Sequence, residues 1–386
     1  MKKYLLLYNC ILFTIIGLGL VMIYSASSIW AEYKTGNPYY YLLRQALFFG
    51  VGLFGYIIAA KIPYTFWLKH ANKIFFACLL LLILVLIPGI GIVRGGARSW
   101  IGIGDFSIQP AEFMKLGLII FTAKFLSKNY GILKKNRYFY FYMLFVGIIF
   151  GLILLQPDFG SGLIMVASIV FLLFIGEFQL KNILIGLLAA GTGLTLMILA
   201  APYRLERIIS FMDPWKDPLG SGFQIIQSLY AISPASLFGY GLFKSKQKYF
   251  YLPEPGNDFI FAIIVEELGI FGGIILIGLF GVLIFIGYKL ARSTKDTFAG
   301  YLVFGFTSLL MIQVFINIAV VIGLIPVTGV TLPFVSYGGS SLVISMFMMG
   351  IIYNVLKTSK KDLSFYAPWE PRLPWKRKKK KHYEKS

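Results

Sequence analysis

The sequence predicts an all-α, polytopic integral membrane protein of about ten transmembrane helices, with a large extracytoplasmic loop before the eighth. Three observations predict it. The chain is 58% hydrophobic, with a mean hydropathy of +0.79. Only 13% of its residues are charged, against about 25% in an ordinary soluble domain. Its apolar residues gather in runs of about 17–25, the length that crosses a bilayer as a helix.

The runs lie near residues 5–25, 44–60, 73–90, 111–127, 138–155, 160–177, 183–201, 259–289, 297–323 and 339–357. The first resembles a secretory leader, because Met1-Lys2-Lys3 precedes it and Ser25-Ala26-Ser27 follows. No secreted soluble domain comes after it, so it is expected to stay as the first span. Cys10 and Cys78 both lie in apolar runs, and no disulfide framework is implied. Residues 1–357 thus form one transmembrane domain, followed by a basic tail over 358–386.

Lysine and arginine set the orientation, since they collect on the cytoplasmic side. With the N-terminus inside, that side receives Lys2 and Lys3, then Lys61, Lys69 and Lys73, then Lys124 to Arg137, then Lys289, Arg292 and Lys295. The C-terminus is also cytoplasmic and ends in Lys376–Lys381, a run suited to anionic lipid headgroups. No folded basic domain accompanies that charge, so no nucleic acid partner is expected. The opposite face receives a short loop near 27–43, Gly91–Gln109, Gln156–Phe159, the long loop Pro202–Asp258, and Leu324–Gly338. Of these, only the long loop is expected to hold structure of its own.

The unusual residues fall on this outer face. Gly95-Gly96-Ala97-Arg98-Ser99-Trp100-Ile101 supplies a guanidinium fork for phosphate or carboxylate, and an indole for an interface or a sugar. Glu112 and Lys115, three apart on the next helix, can pair within the bundle. Gln156-Pro157-Asp158-Phe159-Gly160 is a tight turn whose Asp158 is placed to cap the following helix. The long loop brings Arg204, Arg207, Lys216, Lys244, Lys246 and Lys248 to the face where basic residues are usually scarce. An anionic ligand accounts for them; a surface pattern without one is the alternative. Pro326–Ser341 is uncharged, hydroxyl-rich and non-helical, which membrane depth tolerates only inside protein or beside a watery cavity.

Asp258 stands where the chain re-enters the membrane, after Leu252-Pro253-Glu254-Pro255-Gly256-Asn257. The protein has only 16 acidic residues in 386, and an ionisable group at such a place is functional by default. Helix capping is the competing reading for Asp258.

Five segments in this order, Gly96–Ile101, Gln109-Pro110-Ala111-Glu112, Gln156–Gly160, Leu252–Ala262 with Glu266-Glu267-Leu268-Gly269, and Gly329–Ser341, resemble the SEDS family (FtsW, RodA and SpoVE). Asp213-Pro214-Trp215 and Asp217–Ile232 resemble the FtsW and SpoVE branch more than RodA. The chain departs from the family at Ala111, where serine is usual, and at Gly256-Asn257, where His-Thr or Gln-Thr is common.

The resemblance implies a peptidoglycan glycosyltransferase that polymerises lipid II, in division or sporulation. It makes Asp258 the general base that deprotonates the acceptor 4-hydroxyl. Arg98, Arg204, Arg207, Lys244, Lys246 and Lys248 would meet the pyrophosphate, and Trp100 the substrate. No cofactor is implied, although the pyrophosphate leaves room for a divalent cation. Asp258 and the pair Glu266 and Glu267 are about 12 Å apart at 1.5 Å per residue, too far to share one sugar. The pair is expected to pack or pair inside the bundle. Crosslinking would fall to a class B penicillin-binding protein, as the sequence shows no transpeptidase domain. A lipid II flippase and a non-catalytic division scaffold are the rival readings; against transport stands the lack of a Gly-x-x-x-x-Gly-Lys-Ser/Thr motif.

Overall fold

The computed structural model describes residues 2–94, 96–103, 106–129, 136–175, 185–186, 191 and 210–358. Nine of the ten expected spans are helices: α1 (Lys2–Thr35), α2 (Tyr40–Lys61), α3 (Tyr64–Leu84), α4 (Pro110–Lys128), α5 (Asn136–Leu154), α6 (Phe159–Ile175), α8 (Ile260–Ser293), α9 (Thr297–Val321) and α10 (Gly339–Thr358). The expected span at 183–201 lies outside the described residues but for three positions, and so does the tail beyond 358. A shorter helix, α7 (Phe223–Ile232), follows a 3-10 turn at Pro214–Lys216 in the long loop. The protein is a multi-pass membrane protein, mostly helical.

Two expectations need correction. Residues 91–108 were expected to be plain loop, yet they form an antiparallel sheet of β1 (Gly91–Arg94), β2 (Ala97–Ile103) and β3 (Phe106–Ile108). The run Ile-Val-Arg, then Arg-Ser-Trp-Ile, is β-branched and aromatic enough to pair once the chain reverses at Gly96, whose φ is +80°. Second, α3 begins at Tyr64 rather than near 73, so Lys69 and Lys73 stand on its first turns and not in a loop. Pro63 ends one helix and starts the next. Trp67 and Ala71 then face inward while Lys69, Asn72 and Lys73 stay exposed.

In lipid the apolar effect does not drive helices together, so close approach and interhelical hydrogen bonds must. The most enclosed helices are α9 and α10, with 78% of their most apolar stretch buried, against 22% for α2. Against α10, α2 packs through small residues. A Cβ at Gly350 would stand 2.5 Å from the Tyr56 carbonyl oxygen, and one at Gly52 2.7 Å from Met346 Sδ. Asn354 locks the other end: its Nδ2 donates to the Ala60 oxygen (2.9 Å) and its Oδ1 accepts from the Tyr64 amide (3.1 Å).

The helix α8 is not continuous. Gly269 has φ 73° and ψ −178°, a conformation open only to glycine, and splits it. Into the gap comes the stretch 236–241, whose Gly239 backbone approaches Gly269 so closely that neither position has room for a Cβ. Amides of Tyr240 and Gly241 donate to the carbonyls of Glu266 and Glu267 (3.0 and 2.9 Å). The loops at 91–108, 155–158, 210–259 and 322–338 occupy one end of the bundle, hereafter the loop-rich face.

The α2–α10 contact yields a prediction. Gly350→Ala should cost about 1–3 kcal/mol through overpacking, seen as a lower thermal unfolding midpoint in detergent. An unchanged midpoint would mean the two helices can part without loss.

Candidate functional site

The residues around Asp258 are set by a local conflict. Pro253, Pro255 and Gly256 disfavour helix, while Ile260 onward favours it, so Asp258 falls in the last turn before α8. The N-cap position is taken by Phe259, which has no side-chain acceptor. The half-buried carboxylate of Asp258 therefore stands two residues before Ile260, at the end of α8 whose amides favour negative charge.

Its backbone is tied down from within the membrane. Asn317 Nδ2, on α9, donates to the carbonyl oxygens of both Asp258 and Val330, each at 2.7 Å. Ser336 Oγ donates to the Asn257 oxygen (2.6 Å) and accepts from the Leu332 amide (2.8 Å). The Tyr337 amide donates to the Gly256 oxygen at 2.8 Å. Gln45 of α2 then clamps the second loop, giving Nε2 to the Ser336 oxygen and accepting the Gly338 amide. The stretch at 326–338 is thus internally paired, which is what lets irregular backbone sit at this depth.

The remaining segments join the same layer. The Gln109 amide donates to Ser340 Oγ (3.1 Å), and its Nε2 to Asp158 Oδ2 (2.6 Å). Asp158 Oδ1 accepts from the Ser161 amide at 3.1 Å, the bond of a helix cap. Gly160 rests against the Thr328 carbonyl with no room for a Cβ. Below them Glu112 Oε1 and Lys115 Nζ pair at 2.7 Å, both buried. The segments at 109, 158–161 and 328–340 are therefore linked to one another, and the last of them bonds the turn.

The basic residues divide. Arg98 and Trp100 are half-buried on β2, and Arg94, which the sequence did not single out, lies 5.6 Å over the Trp100 ring. Lys244 and Lys246 are exposed, with Lys246 Nζ 4.8 Å over Tyr240. Arg204 and Arg207 lie outside the described residues. Lys248 does not join the exposed group: it is 4% exposed, donates to the Phe243 oxygen (2.6 Å) and lies 3.4 Å from Glu267 Oε1. Burial of its ammonium requires that partner, and so removes it from the ligand-facing set.

Glu266 and Glu267 hold the loop that carries these lysines. Glu267 accepts from Ser25 Oγ (2.6 Å) and from the amides of Phe243 and Ser245 (both 3.0 Å). Glu266 accepts from the Ser245 hydroxyl and the Lys246 amide. Further along the long loop, the Ser221 amide and hydroxyl hold the Asp217 carboxyl below the usual carboxylate range. Among the described residues no group of three or more His, Cys, Asp or Glu could hold a metal ion.

Gln45, Asn317 and Ser25 were not singled out from the sequence, although polar side chains inside apolar spans are a signal in themselves. Asn317→Leu should leave two buried carbonyls unpaired, at about 1–3 kcal/mol each. The expected result is faster proteolytic cleavage or amide exchange across 253–258 in a protein that still inserts. Unaltered protection there would show that the Asn317 bridge does not hold the turn.

Residues 5–361 match the model of the FtsW/RodA/SpoVE family, described as cell cycle protein. Stage V sporulation protein E of Bacillus subtilis (strain 168) is 47% identical over 359 residues, covering 92% of this chain and 97% of that one. A probable peptidoglycan glycosyltransferase FtsW of Geobacter sp. (strain M18) is 40% identical over 338 residues, covering 87% and 92%. In structure, the chain is similar to one from a peptidoglycan synthase complex, described as coordinating polymerization and crosslinking (TM-score 0.74, 30% identity, 92% and 98% covered). It is also similar to the rod shape determining protein RodA of Thermus thermophilus (TM-score 0.67, 27% identity, 92% and 97% covered). Alike over nearly its whole length in sequence and in fold, the chain belongs to the FtsW/RodA/SpoVE family of cell cycle proteins.

Proposed function

We propose that this protein is a peptidoglycan glycosyltransferase that polymerises lipid II into β-1,4 glycan strands, serving division or sporulation. One observation carries the reading: an acidic side chain, Asp258, on a turn whose backbone is held by hydrogen bonds from α9 and from the 336–337 stretch. A general base must be held within hydrogen-bond reach of the proton it takes, and such a frame does that.

The acceptor sugar's 4-hydroxyl gives its proton to Asp258 as its oxygen attacks the donor's anomeric carbon. The bond to the lipid pyrophosphate breaks, and the leaving group carries the electron pair away. One displacement inverts the α-linked donor to a β linkage. A retaining route needs a second carboxylate at about 5–5.5 Å; Glu266 and Glu267 are engaged with the 243–248 loop instead. Pyrophosphate leaves readily, so it needs positive charge more than an acid. Arg98, Lys244 and Lys246 are the described residues we assign to it, together with Arg204 and Arg207.

The active face is the outer one and both termini are cytoplasmic, in the plasma membrane of a bacterium, on the lysine and arginine bias. The basic tail then lies on anionic lipid. The neighbouring structure whose description pairs polymerization with crosslinking supports a class B penicillin-binding protein as partner. A proton-coupled flippase would draw on Glu112, Glu266 and Glu267, and each of these is already bonded within the protein.

Two measurements test the assignment. Asp258→Asn keeps the size of the side chain and cannot take the proton. It should remain folded and polymerise fluorescent lipid II at least about a hundredfold more slowly. A stable Asp258→Asn protein with near-normal glycan synthesis would end the catalytic role. For Arg98→Ala the expected loss is about 1.5–3 kcal/mol in kcat/KM for lipid II, the worth of a hydrogen bond to a charged group. Turnover and KM both unaltered in folded protein would remove Arg98 from the phosphate site.

A further inference from the structure

Beside the Asp258 turn, and separate from its carboxylate, lies an open cleft of about 190 Å³. Its walls are Trp30 and Lys34 from the end of α1, Tyr41 from α2, Glu254 and Asn257 from the turn, and Tyr337. The helix α1 reaches this far because its 34 residues extend about 51 Å at 1.5 Å each, well beyond a hydrocarbon layer of about 30 Å.

Three features mark the cleft as built. The first is Gly256: a Cβ there would collide with Ser27 Oγ, so the bare backbone leaves that hydroxyl in place where α1 packs on the turn. Trp30 and Lys34, on the same end of α1 as Ser27, line the cleft together with Glu254. The second is Glu254 itself, held at φ +44° although it has a Cβ. Asn257 keeps it so, giving its amide to the Glu254 oxygen (3.0 Å) and its Nδ2 to Oε2 (2.6 Å). Third, Trp30 Nε1 is a buried donor with no partner among the described residues. Its ring is fixed by Phe250 at 5.0 Å and by Lys34 Nζ at 4.9 Å.

The volume is below the about 300–1,000 Å³ of sites that take a whole ligand. The cleft therefore suits one part of a molecule anchored elsewhere. The exposed Glu254 carboxylate disfavours pyrophosphate. The sugars of lipid II are uncharged and must sit at Asp258. What remains is a group with an amine, a carboxylate and carbonyl oxygens.

We propose that this cleft binds the stem peptide of lipid II, with Glu254 meeting the diamino-acid ammonium, Lys34 a carboxylate, and Trp30 Nε1 a peptide carbonyl. The proposal rests on the lipid II reading above and deepens it. It makes Glu254, held by Asn257, the residue by which this chain selects among stem peptides.

The test uses full-length protein in detergent with two substrates: lipid II carrying its diamino-acid amine, and the same lipid II with that amine acetylated. Wild type should lose at least about tenfold in kcat/KM on acetylation, mainly through KM, as a charged hydrogen bond is removed. Glu254→Gln should use both substrates alike. Trp30→Phe keeps the ring, loses the donor, and should raise KM for both substrates by a similar factor. Wild type that polymerises both substrates equally well overturns the peptide site while leaving polymerisation intact. If wild type makes no glycan from either, calorimetry with the soluble disaccharide-pentapeptide decides. Binding weakened by Glu254→Gln upholds the cleft, and binding that is absent or indifferent to that change overturns it.

Discussion

One carboxamide holds the loop-rich half of this protein together. Asn317 Nδ2 donates to the carbonyl oxygens of Asp258 and Val330 from inside the mostly apolar α9. Backbone that is neither helix nor closed sheet can enter a membrane protein only if its polar groups find partners within the protein. The turn at 253–258 and the stretch at 326–338 are both of that kind. Each supplies bonds the other lacks, through Ser336, Tyr337 and the Asn317 bridge. The position of Asp258 is a consequence of that mutual satisfaction.

A second arrangement depends on the break in α8. Gly269 opens the helix, the 236–241 backbone enters, and the two glutamates just before the break take the amides of the 243–248 loop. Buried carboxylates are costly unless bonded on several sides. Here Ser25 from α1, four residues of the 243–247 loop and Lys248 supply those bonds. The cost of burying two acids is offset by fixing a loop that would otherwise be long and unconstrained. That loop presents Lys244 and Lys246 on the same face as the Asp258 turn. It connects α1 to the loop as well, and α1 is the helix that reaches the cleft beside Glu254.

The charge distribution has a common logic. Cations that find a buried carboxylate, Lys115 and Lys248, become parts of the frame. Those that do not, Lys244 and Lys246, stay at the surface, where a polyanionic substrate could neutralise them. Spacing alone does not separate the two groups: Lys246 and Lys248 differ by two positions and have opposite fates.

Much was legible from the sequence. The span pattern, the loop-rich face and the segments around Asp258 follow from hydropathy runs and from the rarity of acids, because a bilayer imposes a fixed length and penalises charge. The Glu112–Lys115 spacing is local to one helix turn, so one turn of geometry predicts the pairing. The rest depended on contacts between distant segments. The sheet at 91–108 was missed because short strands framed by glycines carry little periodicity. Asn317 and Gln45 were passed over because an amide in a span does not reveal which carbonyls it meets, and these lie 13 and 59 residues away for Asn317 and 291 for Gln45. The sequence by itself determined which residues are too costly to be accidental in a membrane. Only the tertiary structure decided which of them face a substrate and which face each other, since that choice rests on partners brought together by packing.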